Sequence, residues 1–477
     1  MPAWGLALRS QSSGGGGGGA GGEVALYLAL GAALGISTCL LANTVLGFSS
    51  SSPSSPSPSS ATAPVSRKAA IPSPLKTHLP TLSPAAVAAL PYPPDVLPGG
   101  RAVATPYGTM QVFEWGPPRG EKVLLLHGIS TPCVALGGLA EALVARGHRV
   151  MLFDFFGRGY SDAPADLPYD LRLYTTQVLL ALASSPLAWT GMGTGRAGVA
   201  GAAADDGEDG RPDAGFHLVG YSLGGGLAVS FARYFAGMLK SVVVIAGGGL
   251  IRGEHVAWRS RLLYSSATAR WVPDGLVRWL VRRRLMPRKT SAEEEHGRGR
   301  GRERERDGAV TETEMAKEVV EVKGRHKNSD ASGGQSFDNA VLLARRPEHT
   351  VSSVMEWQLR RHEGFIPAFV SSIRHAPIYD QQEDWLALGQ ILAERREKLG
   401  WEDAADRSPG LGGGKILLVL GASDPVIVKE ELIHDATAVL GEDGFEAVVL
   451  DAGHEIVMTK ADEVAAVMAN FWDRTTR

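Results

Sequence analysis

A serine hydroxyl attacks a carbonyl at neutral pH only when a neighbouring base takes its proton. The stretch 216–231, FHLVGYSLGGGLAVSF, holds a serine in a setting suited to that. Its opening apolar run, Phe216 to Val219, reads as a buried strand; Leu227, Ala228, Val229, Phe231 and Ala232 read as the apolar face of a helix. Between them Gly220-Tyr221-Ser222-Leu223-Gly224 forms a G-x-S-x-G. On such a sharp strand-to-helix turn the Ser222 hydroxyl is pushed clear of the sheet, and Gly220 and Gly224 let the backbones pass. The helix that follows turns its free N–H groups towards the same point. A chain with 59 glycines throws up this pattern by chance as a structural turn, so the flanking strand and helix are what select the catalytic reading.

The partners of a nucleophilic serine are a base and a carboxylate that orients the base. His454 follows the strand-like run 446–450 (EAVVL), in Asp451-Ala452-Gly453-His454. A reference pKa near ~6.5 lets an imidazole take a proton and return it. Asp424 follows 415–420 (KILLVL), in Gly421-Ala422-Ser423-Asp424. Asp403 and Asp406 compete for the acid role but sit in a polar loop with no strand before them, and Asp451 reads as the cap of its own strand. A fourth run, 122–126 (KVLLL), leads into His127-Gly128-Ile129-Ser130. His127 ends the wrong strand for the base and reads as a buttress of its loop. In a parallel sheet all four loops emerge at one carboxyl edge, where open α/β sheets bind ligands.

The elements needed to position these groups are legible along the chain. Val103 to Phe113 carries a Pro-Tyr-Gly turn between two short strands, a hairpin signal. Further strands are expected at 149–153 (RVMLF) and 241–246 (SVVVIA), and helices at 136–145, 169–183, 426–440 and 461–472. Strands alternating with helices, several lacking polar alternation, predict an α/β fold with a mostly parallel central sheet and helices on both faces.

The remainder divides by composition. Residues 1–23 are glycine-rich and read as disordered. Residues 24–48, VALYLALGAALGISTCLLANTVLGF, carry no charge and exceed the ~20 residues that span a bilayer. They are read as a single N-terminal membrane anchor, against a removed targeting segment or a buried helix. No asparagine stands in an N-x-S/T acceptor, which disfavours a lumenal catalytic domain. Residues 49–100 read as a Ser/Pro-rich linker. The α/β core then spans 101–249, with a low-complexity insertion at 191–215, and resumes over 386–477. Residues 250–385 read as a helical cap rich in aromatics, entered through Gly247-Gly248-Gly249 and holding a disordered charged insert at 288–335 in which arginine and glutamate alternate. Its tryptophans read mainly as packing residues, some lining an apolar pocket.

Composition narrows the partners. A net charge of −3 over 477 residues supplies no field for nucleic acid, and a 44% hydrophobic content is ample for a large core. Two cysteines, Cys39 and Cys133, make no disulfide framework, and Cys133 reads as a buried apolar group. No Cys/His cluster has metal spacing, and Gly157-x-Gly159 lacks the third glycine of a dinucleotide fingerprint, so neither a metal nor a cofactor is expected.

From about Arg101 the chain resembles the α/β-hydrolase fold superfamily, in the branch holding esterases, cofactor-free haloperoxidases, C–C bond hydrolases and epoxide hydrolases. The resemblance rests on His127-Gly128, the loop Gly157-Arg158-Gly159-Tyr160-Ser161-Asp162, Gly220-Tyr221-Ser222-Leu223-Gly224-Gly225, Asp424 and Gly453-His454. The cap inserted after the sixth strand also fits. By that resemblance Ser222 is the nucleophile, His454 the general base and Asp424 its orienting acid. The oxyanion hole maps onto the backbone N–H groups of Ile129 and Leu223. Serine, rather than aspartate, at the nucleophile position directs the chemistry to acyl transfer to water. The expectation is a serine hydrolase cleaving a lipophilic carboxylic ester or lipid. Its alternatives are a C–C bond, thioester or amide hydrolase of the same fold, or a non-catalytic binding protein.

Overall fold

The computed structural model describes residues 70–190, 215–252, 274–285, 333–399 and 410–475. Among them eight strands form one sheet: β1 (Gly100–Thr105), β2 (Gly108–Trp115), β3 (Lys122–Leu126), β4 (Arg149–Phe153), β5 (Phe216–Tyr221), β6 (Leu239–Ile245), β7 (Ile416–Gly421) and β8 (Phe445–Leu450). Their order is β1-β2-β4-β3-β5-β6-β7-β8. β2 runs antiparallel to both neighbours, and every pair from β4 to β8 is parallel. β3, β5 and β7 are buried at every position, because apolar residues on both sides of the strand need cover on both sides of the sheet. The β1–β2 hairpin turns at Pro106-Tyr107, as the sequence led us to expect.

The cover comes from helices joined in sequence to those strands. The helices along the chain include α1 (Gly137–Ala145), α2 (Leu171–Ala183), α3 (Leu223–Phe235), α4 (Asp274–Leu285), α5 (Gly333–Asp338), α6 (Val351–Arg361), α7 (Phe365–His375), α8 (Gln382–Leu399), α9 (Lys429–Leu440) and α10 (Ala461–Thr475). α3 lies on β5 and β6 and is covered in turn by α8; α10 packs on α1. Two helix starts fall later than the apolar pattern implies. α2 begins at Leu171 because the Asp170 side chain accepts the Arg172 and Leu173 N–H groups, 3.1 and 3.2 Å away. α9 begins at Lys429 because the N–H groups of Val426 and Ile427 are turned instead to Asp424.

Two expectations need correction. Residues 70–99 do not behave as linker. Two short helical turns, Pro74–Thr77 and Pro84–Ala88, lead to Tyr92, Val96 and Leu97, all buried in the core. Ile71 pairs with Ala163, and the Ser73 N–H donates to Asp162 Oδ1 at 2.9 Å. The serine and proline content averaged over 49–100 hid these few apolar anchors. The membrane localisation is overturned: among the described residues no helix is long and apolar enough to cross a membrane. The segment 24–48 read as an anchor lies outside the described residues, so no structure supports it. Residues 1–23 and 49–69 also lie outside them, as do all of the insertion 191–215 except Gly215 and most of the charged insert 288–335.

Candidate active site

β5 delivers Ser222 to the carboxyl edge through a turn in which the serine takes φ 53° and ψ −118°, a region an L residue occupies only at a cost. The surroundings hold it there. The Ser222 N–H donates to Ile245 O (3.1 Å), and Ser222 O accepts from Gly225 N and Gly248 N, each at 2.9 Å. Gly248 belongs to the triple glycine that reads in sequence only as an exit turn. A Cβ at Gly220 would overlap Gly224 O, and one at Gly224 would overlap Leu126 O. The two glycines of the motif are therefore required by close approach of backbone to backbone.

His454 and Asp424 follow β8 and β7. His454 Nε2 stands 3.1 Å from Ser222 Oγ, and His454 Nδ1 stands 2.8 Å from Asp424 Oδ2. A carboxylate only accepts, so Nδ1 carries the proton and Nε2 of the neutral ring is left as acceptor for the serine hydroxyl. Asp424 is fixed in its turn. Its Oδ1 accepts from Val426 N at 2.8 Å and Ile427 N at 2.9 Å. Asp424 and His454 are each only 5% exposed, which strengthens the electrostatics between them. The competing Asp451 is exposed at the surface, and Asp403 and Asp406 lie outside the described residues.

The loop after β3 lies against the serine. A Cβ at Gly128 would stand 3.4 Å from Ser222 Cβ. His127 is fully buried, and burial together with the Arg158 guanidinium pushes its pKa down to about 3, so the ring is neutral. The Phe155 N–H donates to its Nε2 at 2.8 Å, which puts the proton on Nδ1, and that nitrogen donates to Gly128 O at 2.7 Å. The Gly128 carbonyl and the Ile129 N–H share one peptide plane, so this bond sets where the Ile129 N–H points. The neutral His127 ring thus ties the loop after β3 to the chain at Phe155. Leu223 opens α3, where an N–H has no acceptor within its own helix.

Three neighbours were not legible beforehand. The Tyr221 hydroxyl donates to His454 O at 2.8 Å, and its position inside the G-x-S-x-G was the one available hint. The Phe337 ring of α5 stacks on the His454 imidazole, centroids 5.9 Å apart. Glu455 Oε1 accepts from Gly453 N and from Ser336 Oγ, both at 3.0 Å, tying the histidine loop to the same helix. Nothing in local sequence marks Phe337 or Ser336 as near the site. Among the described residues no group of His, Cys, Asp and Glu is placed to hold a metal ion.

A family model described as the alpha/beta hydrolase fold matches residues 122–461. The chain belongs to that family. Its members are in general hydrolytic enzymes, and the eight-stranded, mostly parallel sheet of this α/β hydrolase is the fold they share. No curated protein matches it in sequence. Similar solved structures include an epoxide hydrolase A from Mycobacterium thermoresistibile, with 17% identity over 79% of this chain and 99% of that one and a TM-score of 0.43. A carboxylesterase of the thaumarchaeon Nitrososphaera gargenis shares 13% identity over 78% and 98% of the two chains, with a TM-score of 0.43. A meta-cleavage product hydrolase from Pseudomonas fluorescens shares 13% over 78% and 97%, with a TM-score of 0.42. At this level of similarity nothing about substrate transfers.

Proposed function

We propose that this α/β hydrolase is a serine hydrolase that cleaves a carboxylic ester with a lipophilic acyl or alcohol part. The observation that carries the reading is the unbroken relay from Ser222 Oγ to His454 Nε2 (3.1 Å) and from His454 Nδ1 to Asp424 Oδ2 (2.8 Å). Ser222 Oγ attacks the ester carbon as its proton passes to His454 Nε2. The carbonyl oxygen becomes an oxyanion facing the N–H groups of Ile129 and Leu223. Collapse breaks the bond to the alcohol oxygen, which leaves with the proton held by His454. Water then attacks the acyl-enzyme with the same base and restores Ser222, so ester and water become acid and alcohol. Asp424 stabilises the imidazolium formed in each half. The Phe337 ring against His454 favours an apolar substrate.

Turnover of p-nitrophenyl esters of rising chain length tests the reading. Hydrolysis that favours the longer chains and disappears in Ser222→Ala supports it. A folded protein that turns over none of them, but cleaves a vinylogous diketone acid, would move the reaction to C–C bond hydrolysis.

A further inference from the structure

The loop 157–162 after β4 has no part in the triad, yet it holds the only fully buried guanidinium among the described residues, that of Arg158. Its Nε donates to Ile129 O at 2.8 Å, Nη1 to Phe156 O at 3.2 Å and Nη2 to Ser372 Oγ on α7 at 2.9 Å. Tyr169 presents its ring 5.9 Å from the guanidinium carbon. Two carbonyls, a hydroxyl and a ring compensate this buried charge, an arrangement that costs stability compared with an apolar side chain of similar size. The next carbonyl along is held in the same manner. Gln358 on α6, fully buried, donates from Nε2 to Ser130 O at 3.0 Å, while its Oε1 accepts the Gly159 N–H at 2.8 Å.

Ile129 is therefore fixed on both sides. His127 holds the peptide before it through Gly128 O, and Arg158 holds the peptide after it through Ile129 O. Gln358 holds the one after that. Two of these three restraints run into the cap, through Ser372 on α7 and through α6 itself.

We propose that Arg158 and Gln358 are positioning residues that aim the Ile129 N–H at the oxyanion, so that the cap helices α6 and α7 set the rate of the acyl-transfer step as well as covering the site. The proposal rests on the serine-hydrolase reading above. Its signature differs from that of a merely structural contact. Loss of aim weakens the transition state and leaves ground-state binding alone, so kcat falls while KM holds.

The test uses the full chain with p-nitrophenyl butyrate as substrate. Two inhibitors accompany it: an alkyl trifluoromethyl ketone, which adds to Ser222 and forms an oxyanion, and its methyl ketone counterpart, which does not. Arg158→Lys, Gln358→Met and Ser372→Ala are compared, with circular dichroism melts to identify folded variants. Folded Arg158→Lys and Gln358→Met are expected to lose about tenfold to a hundredfold in kcat, with KM within about twofold. Trifluoromethyl ketone affinity falls in the same proportion and methyl ketone affinity is unchanged. Ser372→Ala removes a single hydroxyl and moves the same quantities the same way, by about threefold to tenfold, which preserves the test if Arg158→Lys does not fold. Unchanged kcat in the folded variants, or a rise in KM alone, overturns the proposal. Wild type that takes a fluorophosphonate at Ser222 while the variants behave in that way leaves the hydrolase reading standing and removes only this inference; wild type without that labelling removes both.

Discussion

Ser222 and His454 are 232 positions apart in the chain, and their side chains meet with Oγ 3.1 Å from Nε2. The meeting is produced by the sheet. Parallel strands β5 and β8 end at one edge, with β6 and β7 between them. The turn after β5 then lifts the serine clear at φ 53°, and the loop after β8 brings the imidazole down beside it.

Asp424→Asn separates orientation from charge. The amide oxygen would keep the Val426 and Ile427 N–H groups, leaving the NH2 to face His454 Nδ1. A donor there forces the proton onto Nε2, and the ring no longer accepts from Ser222. The expected result is a fall of about 10⁴ in kcat with the fold intact, the size of the loss when the same change is made in a serine protease triad. Steady-state kinetics beside a melting curve measure it.

Gly224→Ala tests the elbow. A Cβ there meets the carbonyl oxygen of Leu126, and backbone cannot move aside as a flexible side chain would. The expected loss is about 3 kcal/mol of stability, at the upper end of overpacking costs. Urea unfolding of the variant reads it. A midpoint equal to that of wild type would mean the turn relaxes more freely than its packing implies.

His362 predicts a pH signature in stability. It is buried at the end of α6, donating from Nε2 to Ser161 O (2.9 Å) and accepting on Nδ1 from Gly364 N (3.1 Å). Burial above all holds its pKa down at about 4. The unfolded chain binds a proton as pH falls through ~6.5 and the folded chain does not, so stability is lost between about pH 6.5 and 4. Relative to His362→Gln, wild type should lose about 1.4 kcal/mol per pH unit across that window and show a constant difference above pH 7. A constant difference at all pH values would contradict a neutral, buried imidazole.

Cys133 should be chemically silent. It is fully buried, with its backbone N–H on Asp154 Oδ1 at 3.0 Å, and burial together with the Asp154 carboxyl pushes the thiol pKa well above the usual range. The thiolate is the reactive form. Iodoacetamide should leave the Cys133 peptide unmodified in the native protein and modify it fully in urea, as read by mass spectrometry. Modification under native conditions would show that this part of the core opens.

Sequence carried the architecture unevenly, and the reasons are physical. β3 and β4 match their expected limits to the residue, because a strand buried on both faces is an unbroken apolar run with sharp ends. Ser222, Asp424 and His454 could be named as candidates because each stands within four residues of the end of a strand legible in the sequence, and the structure brings the three side chains together. Arg158, Gln358 and Phe337 make their contacts across the fold. Gln358 reaches Ser130 over 228 positions of chain, and no local pattern records a contact of that kind. Tyr92 was missed because proline and serine around it mask a single aromatic that donates its hydroxyl to Asp154 Oδ2 at 3.0 Å.

The most direct measurement is covalent labelling of the full-length protein with a fluorophosphonate probe, followed by peptide mapping. One adduct is expected, on Ser222, formed by wild type, lost in Ser222→Ala and strongly slowed in His454→Ala. Labelling that persists in Ser222→Ala, or a folded wild type that takes no label, would contradict it.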